Sequence, residues 1–213
     1  METIRLSEVG VEAAALRAAA ILREGGVALY PTDTLYGLGA DALSDEAVAK
    51  VKRIKGRDEG KPIHAIVEDL AAAEAFAVID ASAKLLAKAF WPGSLTLILK
   101  KRENVETGIS RGIRTFGVRV PNNEFCLALA HEFGGPYTGT SANRSGKVPE
   151  RSLEKVFTQL GSVVEAIDIV IDAGELQASL PSTVVDTTSS TPVILREGTI
   201  SASDIWNVVR AEL

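Results

Sequence analysis

The chain has 213 residues, 46% of them hydrophobic and 24% charged, which are the proportions of a globular protein and too apolar for a disordered one. A net charge of −5 argues against a wholly basic nucleic-acid binder. The single cysteine, Cys126, excludes an internal disulfide, and with only His64 and His131 beside it there is no cysteine-based metal framework.

Taken in chain order, Val11 to Arg23 is predicted as an amphipathic helix with Val11, Ala14, Ala15, Ala18, Ile21 and Leu22 on one side, stopped by Gly25-Gly26. Val27 to Tyr30 reads as a short buried strand ending at Pro31. Ser44, followed by Asp45 and Glu46, marks the start of a helix whose apolar positions are Ala47, Val48, Val51 and Ile54. Strands are expected at Ile63 to Val67, Ser94 to Leu99 and Thr115 to Val120, with a helix at Ala81 to Phe90 broken by Pro92-Gly93. Asn123 to Glu132 and Ser152 to Leu160 follow as helices, then strands at Asp168 to Asp172, Ser182 to Thr187 and Pro192 to Leu195, and a closing helix at Ala202 to Val209. The last two strands are separated only by Thr188-Ser-Ser-Thr191, a hairpin-like spacing.

Strands and helices therefore interleave without a strict βαβ repeat, which predicts an α/β (α+β) fold with a mixed parallel and antiparallel sheet flanked by helices. At this length a chain buries roughly 70% of its unfolded surface, and no repeat or linker divides it, so one domain over residues 1–213 is expected. No run of about 18 apolar residues marks a membrane span, and Met1-Glu-Thr-Ile-Arg5 lacks the apolar run of a secretory signal, so no membrane contact and a cytoplasmic location are expected.

Charge is unevenly spread. Lys50, Lys52, Arg53, Lys55, Arg57 and Lys61 stand against Asp58 and Glu59, and a second basic cluster runs through Lys100, Lys101, Arg102, Arg111, Arg114 and Arg119. An acidic protein with local cationic segments suits a small anionic ligand better than a long polyanion; solvated helix faces are the plainer reading of about half of these residues.

Several segments carry chemistry. In Tyr30-Pro-Thr-Asp-Thr-Leu-Tyr-Gly-Leu-Gly39, two threonine hydroxyls and an aspartate directly follow a strand, where ligands are commonly gripped. Neither glycine fits a phosphate-loop or dinucleotide pattern. Lys55-Gly-Arg57 with Lys61 gathers three cations at a helix end, either complementing the helix dipole or gripping phosphates. Tyr137-Thr-Gly-Thr-Ser-Ala-Asn143 joins hydroxyls and an amide to a glycine, with helix capping by Ser141 or Asn143 as the structural alternative. Arg119, inside the apolar stretch Val118-Arg-Val-Pro121, must pair within the fold or face a cleft. Pro181 to Asp186 and Leu195-Arg-Glu-Gly198 add a hydroxyl pair and another strand-end arginine. Cys126, Trp91 and His131 read as structural.

Together, at these separations, Tyr30 to Gly39, Lys55 to Pro62, Thr115 to Pro121, Thr140 to Asn143, Pro181 to Asp186 and Leu195 to Gly198 resemble the YrdC-like (TsaC) family of L-threonylcarbamoyladenylate synthases. Lys55-x-Arg57 with Ser141-x-Asn143 is the most specific part. The end of the chain soon after Gly198 is that expected of the short, single-domain form.

The resemblance implies a YrdC/RibB-like twisted mixed sheet around a positively charged cavity. It also implies a reaction in which L-threonine, bicarbonate (or CO2) and ATP give threonylcarbamoyl-AMP and pyrophosphate. A partner transferase complex would then modify adenosine 37 of tRNA to t6A, with possible contact to RNA. Lys55, Arg57, Ser141 and Asn143 would form the catalytic set. Lys61, Thr115, Ser182 and Arg196 would join them on the ATP side, and Thr32, Thr34, Thr140 and Arg119 would hold threonine. Magnesium is expected with the substrate phosphates and not on a protein metal site. The chain departs from the family where Asp58 stands in place of a common proline. Asp58 and Glu59 either point outward or help hold magnesium. Ile66 stands where long members carry a histidine, and His64, two residues earlier, receives no role. The rival readings are a YciO-like paralogue with weak synthase activity, a double-stranded-RNA-binding or ribosome-maturation factor, and a carbamoyl-transfer role like that of hydrogenase maturation proteins.

Overall fold

The computed structural model describes residues 1–56 and 62–210. Its elements in chain order are β1 (Glu2–Arg5), α1 (Leu6–Val9), α2 (Val11–Arg23), β2 (Ala28–Tyr30), β3 (Gly37–Gly39), α3 (Asp45–Lys55), β4 (His64–Ile66), α4 (Leu70–Glu74), β5 (Ala77–Val78) and α5 (Ala81–Phe90). They continue with β6 (Leu95–Lys101), β7 (Thr115–Arg119), α6 (Glu124–Phe133), β8 (Tyr137–Ser141), α7 (Leu153–Leu160), β9 (Ile169–Asp172), β10 (Thr183–Asp186), β11 (Val193–Arg196) and α8 (Ala202–Arg210). Among the described residues, no helix is long and apolar enough to cross a membrane.

The helices start and stop where local chemistry requires. The Ser44 hydroxyl accepts from the Ala47 amide to cap α3, Asp80 caps α5 from the Ala83 amide, and Asn123 caps α6 from the Cys126 amide. Gly56, in the left-handed region at φ 57°, closes α3.

The strands form one sheet in the order β1-β9-β2-β3-β8-β4-β7-β6-β10-β11, with β5 paired to β6. The expected mixture is present: β9 lies parallel to both β1 and β2, β4 to β7 and β10 to β6, while the other pairs are antiparallel. The hairpin spacing at Thr188 to Thr191 corresponds to the antiparallel β10–β11 pair.

Side-chain alternation divides the core between the two faces of the sheet. Leu29 and Val170 face a cluster that includes α3, α5, α7 and α8; Ala28, Tyr30, Ile169 and Ile171 face a second cluster filled by α2 and α6. The first cluster continues under the other half of the sheet through Leu95, Leu97, Leu99, Phe116 and Val118. On the opposite side of those strands, Thr96, Ile98, Thr115, Gly117 and Arg119 are not covered by a helix of the second cluster, and they line a cavity. Among the described residues, no helix packs on this half of the sheet face, and it is the floor of the site.

Candidate functional site

The cavity has a volume of about 500 Å³. Strand register builds its floor as two rows. His64 lies between Gly139 of β8 and Gly117 of β7, and Gly117 pairs with Ile98, which pairs with Asp186. The next row runs through Ile66, Arg119, Thr96, Val184 and Arg196. The loop from Thr32 to Tyr36, together with Thr140, Ser141, Pro149 and Pro181, makes the walls.

The loop after β2 is shaped by its own hydroxyls. Thr32 Oγ1 accepts from the amides of Thr34 and Leu35, each at 3.0 Å, donates to the Leu35 carbonyl at 2.7 Å, and lies 3.0 Å from Thr34 Oγ1. The two glycines that end this segment leave room for the Tyr30 ring: a Cβ on Gly37 or Gly39 would lie 2.9 or 2.8 Å from it. Tyr36 pins the loop to the segment after β9, donating to the Gly174 carbonyl at 2.7 Å and accepting from the Ala173 amide at 3.1 Å.

Arg119 both pairs inside the fold and faces the cleft. Its Nε donates to the Gly93 carbonyl (2.9 Å), Nη1 to Thr34 Oγ1 (3.2 Å) and Nη2 to Asp33 Oδ1 (2.5 Å). The Arg119 and Asp33 side chains are only 5% and 12% exposed, so this ion pair is largely desolvated. Across the floor, Arg196 donates through Nε and Nη2 to the Ser182 carbonyl (3.1 and 2.8 Å) and through Nη2 to Ser182 Oγ (3.2 Å). Ser182 Oγ in turn lies 2.9 Å from Thr96 Oγ1. Partial burial, and then the like charge of Arg119, hold the Arg196 pKa below the ordinary guanidinium value. Two cations thus face one cavity, and Asp186 is the carboxylate among its described lining residues. One oxygen of Asp186 accepts from the Thr188 amide and hydroxyl.

Of the residues singled out in the sequence, Thr32, Thr34, Thr115, Arg119, Thr140, Ser141, Ser182 and Arg196 all line this cavity. Lys55 and Asn143 sit behind it as one buried unit. Lys55 Nζ donates to the Ser141 carbonyl and to the carbonyl and Oδ1 of Asn143 (3.0 and 3.1 Å), and Ser141 Oγ donates to Asn143 Oδ1 at 2.6 Å. The loop beyond is docked on the end of α3: Arg144 Nη1 donates to the Ile54 carbonyl (2.9 Å) and the Ser145 amide to the Lys55 carbonyl (2.8 Å). Asn143 Nδ2 is engaged by the Arg144 and Lys147 carbonyls, so the amide braces this loop; it does not cap a helix. Arg57 and Lys61, and with them Asp58 and Glu59, lie outside the described residues.

The sequence points to Asp33 and Asp186 only as members of their segments, gives His64 no role, and does not reach Thr96. A Cβ on Gly139 would lie 2.6 Å from His64 Nε2, so the absence of that side chain gives the imidazole its place on the floor. Strand alternation from Arg119 through the register would have reached Thr96; nothing short of the pairing itself points to His64. The structural readings of the remaining residues agree with the fold: Cys126 is fully buried, Trp91 packs against the core, and His131 is exposed beside Glu68 (3.0 Å) away from the cavity.

The family model Sua5_yciO_yrdC, described as "Telomere recombination", matches residues 20–198. The threonylcarbamoyl-AMP synthase of Pyrococcus abyssi is 39% identical over 193 residues, 90% of this chain and 56% of that protein. The crystal structure of P. abyssi Sua5 complexed with L-threonine superposes with a TM-score of 0.88 at 37% identity, over 98% of this chain and 60% of that one. The crystal structure of E. coli YciO superposes with a TM-score of 0.81 at 29% identity, over 96% of this chain and 98% of that one. The chain thus spans little more than half the length of the synthase it matches, and within that span it belongs to the Sua5/YciO/YrdC family.

Proposed function

We propose that this protein is a threonylcarbamoyl-AMP synthase, joining L-threonine, bicarbonate and ATP and releasing pyrophosphate. What carries the reading is one cavity with a hydroxyl-rich, arginine-clamped end at Thr32, Thr34 and Arg119 and a second arginine held by Ser182 on the far side of its floor. Such a site suits a carboxylate at one end and phosphates at the other.

The amine of threonine and bicarbonate condense to a carbamate and water. A carbamate oxygen attacks the α-phosphorus of ATP, its bond to pyrophosphate breaks, and the net reaction is a nucleotidyl transfer. No protein nucleophile is required, so the work falls to positioning and to screening of anionic repulsion. Arg119 takes the threonine carboxylate, with Thr32, Thr34 and Thr140 around the side chain. Arg196, Ser182 and Thr115 would meet the phosphates, and Arg57 and Lys61, outside the described residues, are assigned to the same end by family resemblance alone. Ser141 is the member of the expected catalytic set that faces the cavity; Lys55 and Asn143 act through it as positioning residues, and Arg57 completes the set by family resemblance alone. Magnesium carried on the substrate phosphates would supply charge neutralisation there. The product would pass in the cytoplasm to the transferase that completes t6A on tRNA.

The test is threonine- and bicarbonate-dependent release of pyrophosphate from ATP by the purified protein. Release that ignores either co-substrate rejects the reading. The near-complete structural match to E. coli YciO keeps a paralogue with weak synthase activity as the second reading, and turnover far below that of the P. abyssi enzyme in the same assay favours it.

A further inference from the structure

Arg119 lines the cavity, yet the geometry around it centres on a neighbour that does not. A guanidinium has five N–H donors in a fixed plane. Three are committed to the Gly93 carbonyl, Thr34 Oγ1 and Asp33 Oδ1, so the guanidinium is held by the segment before β6 and by two neighbouring residues of the loop after β2. Asp33 is itself anchored: its second oxygen accepts from the Asn122 amide at 3.1 Å, in the turn that follows Arg119. The carboxylate therefore ties the loop after β2 to the turn after β7 and holds the guanidinium between them. With side-chain exposures of 5% and 12%, the pair is shielded enough from water for its geometry to persist, unlike a surface ion pair.

We propose that Asp33 is the positioning residue for amino-acid recognition in this protein. It acts through Arg119, aiming the uncommitted guanidinium donors into the cavity and holding Thr34 at the same end. The assignment rests on the proposed synthase reading, because the anion that Arg119 would meet is the substrate carboxylate. The role is orientation, not net charge, since the pair is neutral as a unit. Replacing Asp33 by Asn keeps the shape but leaves one carboxylate oxygen's bonds unmade: an amide has one acceptor oxygen, and its NH2 group would face either the Arg119 donor or the Asn122 N–H. Loosening the guanidinium by this route costs the amino-acid end of the site and leaves the Arg196 end untouched.

The experiment is steady-state pyrophosphate release with threonine and ATP varied separately, on the wild-type protein, Asp33→Asn and Asp33→Glu, with melting temperatures measured alongside. For Asp33→Asn, KM for threonine is expected to rise about tenfold or more while KM for ATP stays within about twofold. Asp33→Glu, which keeps the charge but shifts the oxygens by a methylene, should fall between. In an Arg119→Lys background, Asp33→Asn should add little, because its effect passes through the fork that lysine lacks. An unchanged threonine KM, or threonine and ATP constants that rise together with a falling melting temperature in whichever variant folds, overturns the assignment. A wild-type protein without threonine-dependent release rejects the synthase reading, whereas an active wild type with an indifferent Asp33→Asn rejects only this role.

Discussion

Arg119→Lys replaces a planar fork bonded on three sides by a single ammonium on a flexible stem. Under the synthase reading, threonine KM should rise at least about tenfold, which corresponds to ~1.4 kcal/mol of lost recognition. Steady-state kinetics with threonine as the varied substrate checks it. Cys126 offers a different test. Its thiol is fully enclosed, and burial pushes its pKa up to about 12. Iodoacetamide at pH 8 should therefore leave the native protein unlabelled and modify Cys126 only after denaturation. The proton is held more tightly in the folded state, so this contribution to stability is intact below the ordinary thiol pKa. It is lost as pH climbs toward about 12, with buried Tyr30 and Tyr137 acting in the same direction. Denaturant titrations at rising alkaline pH should show stability falling, and less steeply in Cys126→Ala. Residue types and spacing were enough to point to Arg119, Ser182 and Arg196. The role of Asp33, and the place of Thr96 and His64 in the site, were not visible in this way, because they come from what lies beside these residues in space and not in the chain.

The long helices and buried strands were legible because their signals are strong: apolar periodicity from Val11 to Arg23, the Ser44 cap, the β-branched run before Asp172. Two central strands were not. β3 is Gly37-Leu-Gly39 and β8 is Tyr137-Thr-Gly-Thr-Ser141; glycine weakens a strand signal, and both segments drew attention as ligand loops. Their glycines serve the sheet itself, opening space for the Tyr30 ring and for His64. β1, α1, α4 and β5 were not legible: each is five residues or fewer and lacks the continuous apolar run that marks the equally short β2 and β9. A related close approach explains Leu195-Arg-Glu-Gly198. A Cβ on Gly198 would lie 2.0 Å from the Pro181 carbonyl oxygen, and the Gly198 amide donates to Thr183 Oγ1 at 2.9 Å. Gly198→Ala should push the end of β11 away from β10 and cost about 1–3 kcal/mol by overpacking. It should also weaken ATP more than threonine, since Arg196 moves with that segment. Chemical denaturation together with separate KM values tests both parts.

At the scale of the whole molecule, most of the second basic cluster is spent within the fold. Lys101 pairs with Glu106 (2.6 Å), Arg111 with Asp45, and Arg119 with Asp33, while Arg102 donates to the Glu74 carbonyl. Lys100 and Arg114 are exposed, with no such side-chain bond among the described residues. Two open cations on a chain of net charge −5 give a salt slope of about −2 at most for double-stranded RNA through this cluster. Filter binding at two salt concentrations should therefore change its slope by about two units or less when Lys100 and Arg114 are both replaced by Ala; a larger change would bring back the RNA-binding reading for this cluster.

The sheet order has a consequence for how the protein comes to exist. β10, which supplies Val184 and Asp186 at the floor's edge and follows directly on Ser182, lies parallel to β6, whose residues left the ribosome roughly ninety positions earlier, and β9 inserts between β1 and β2. Such distant pairings must be closed late and slowly. A nascent chain stopped before Thr183 would carry Arg119 and its partners but no opposite wall, so the capacity to hold both ends of a ligand should switch on only when synthesis is almost finished.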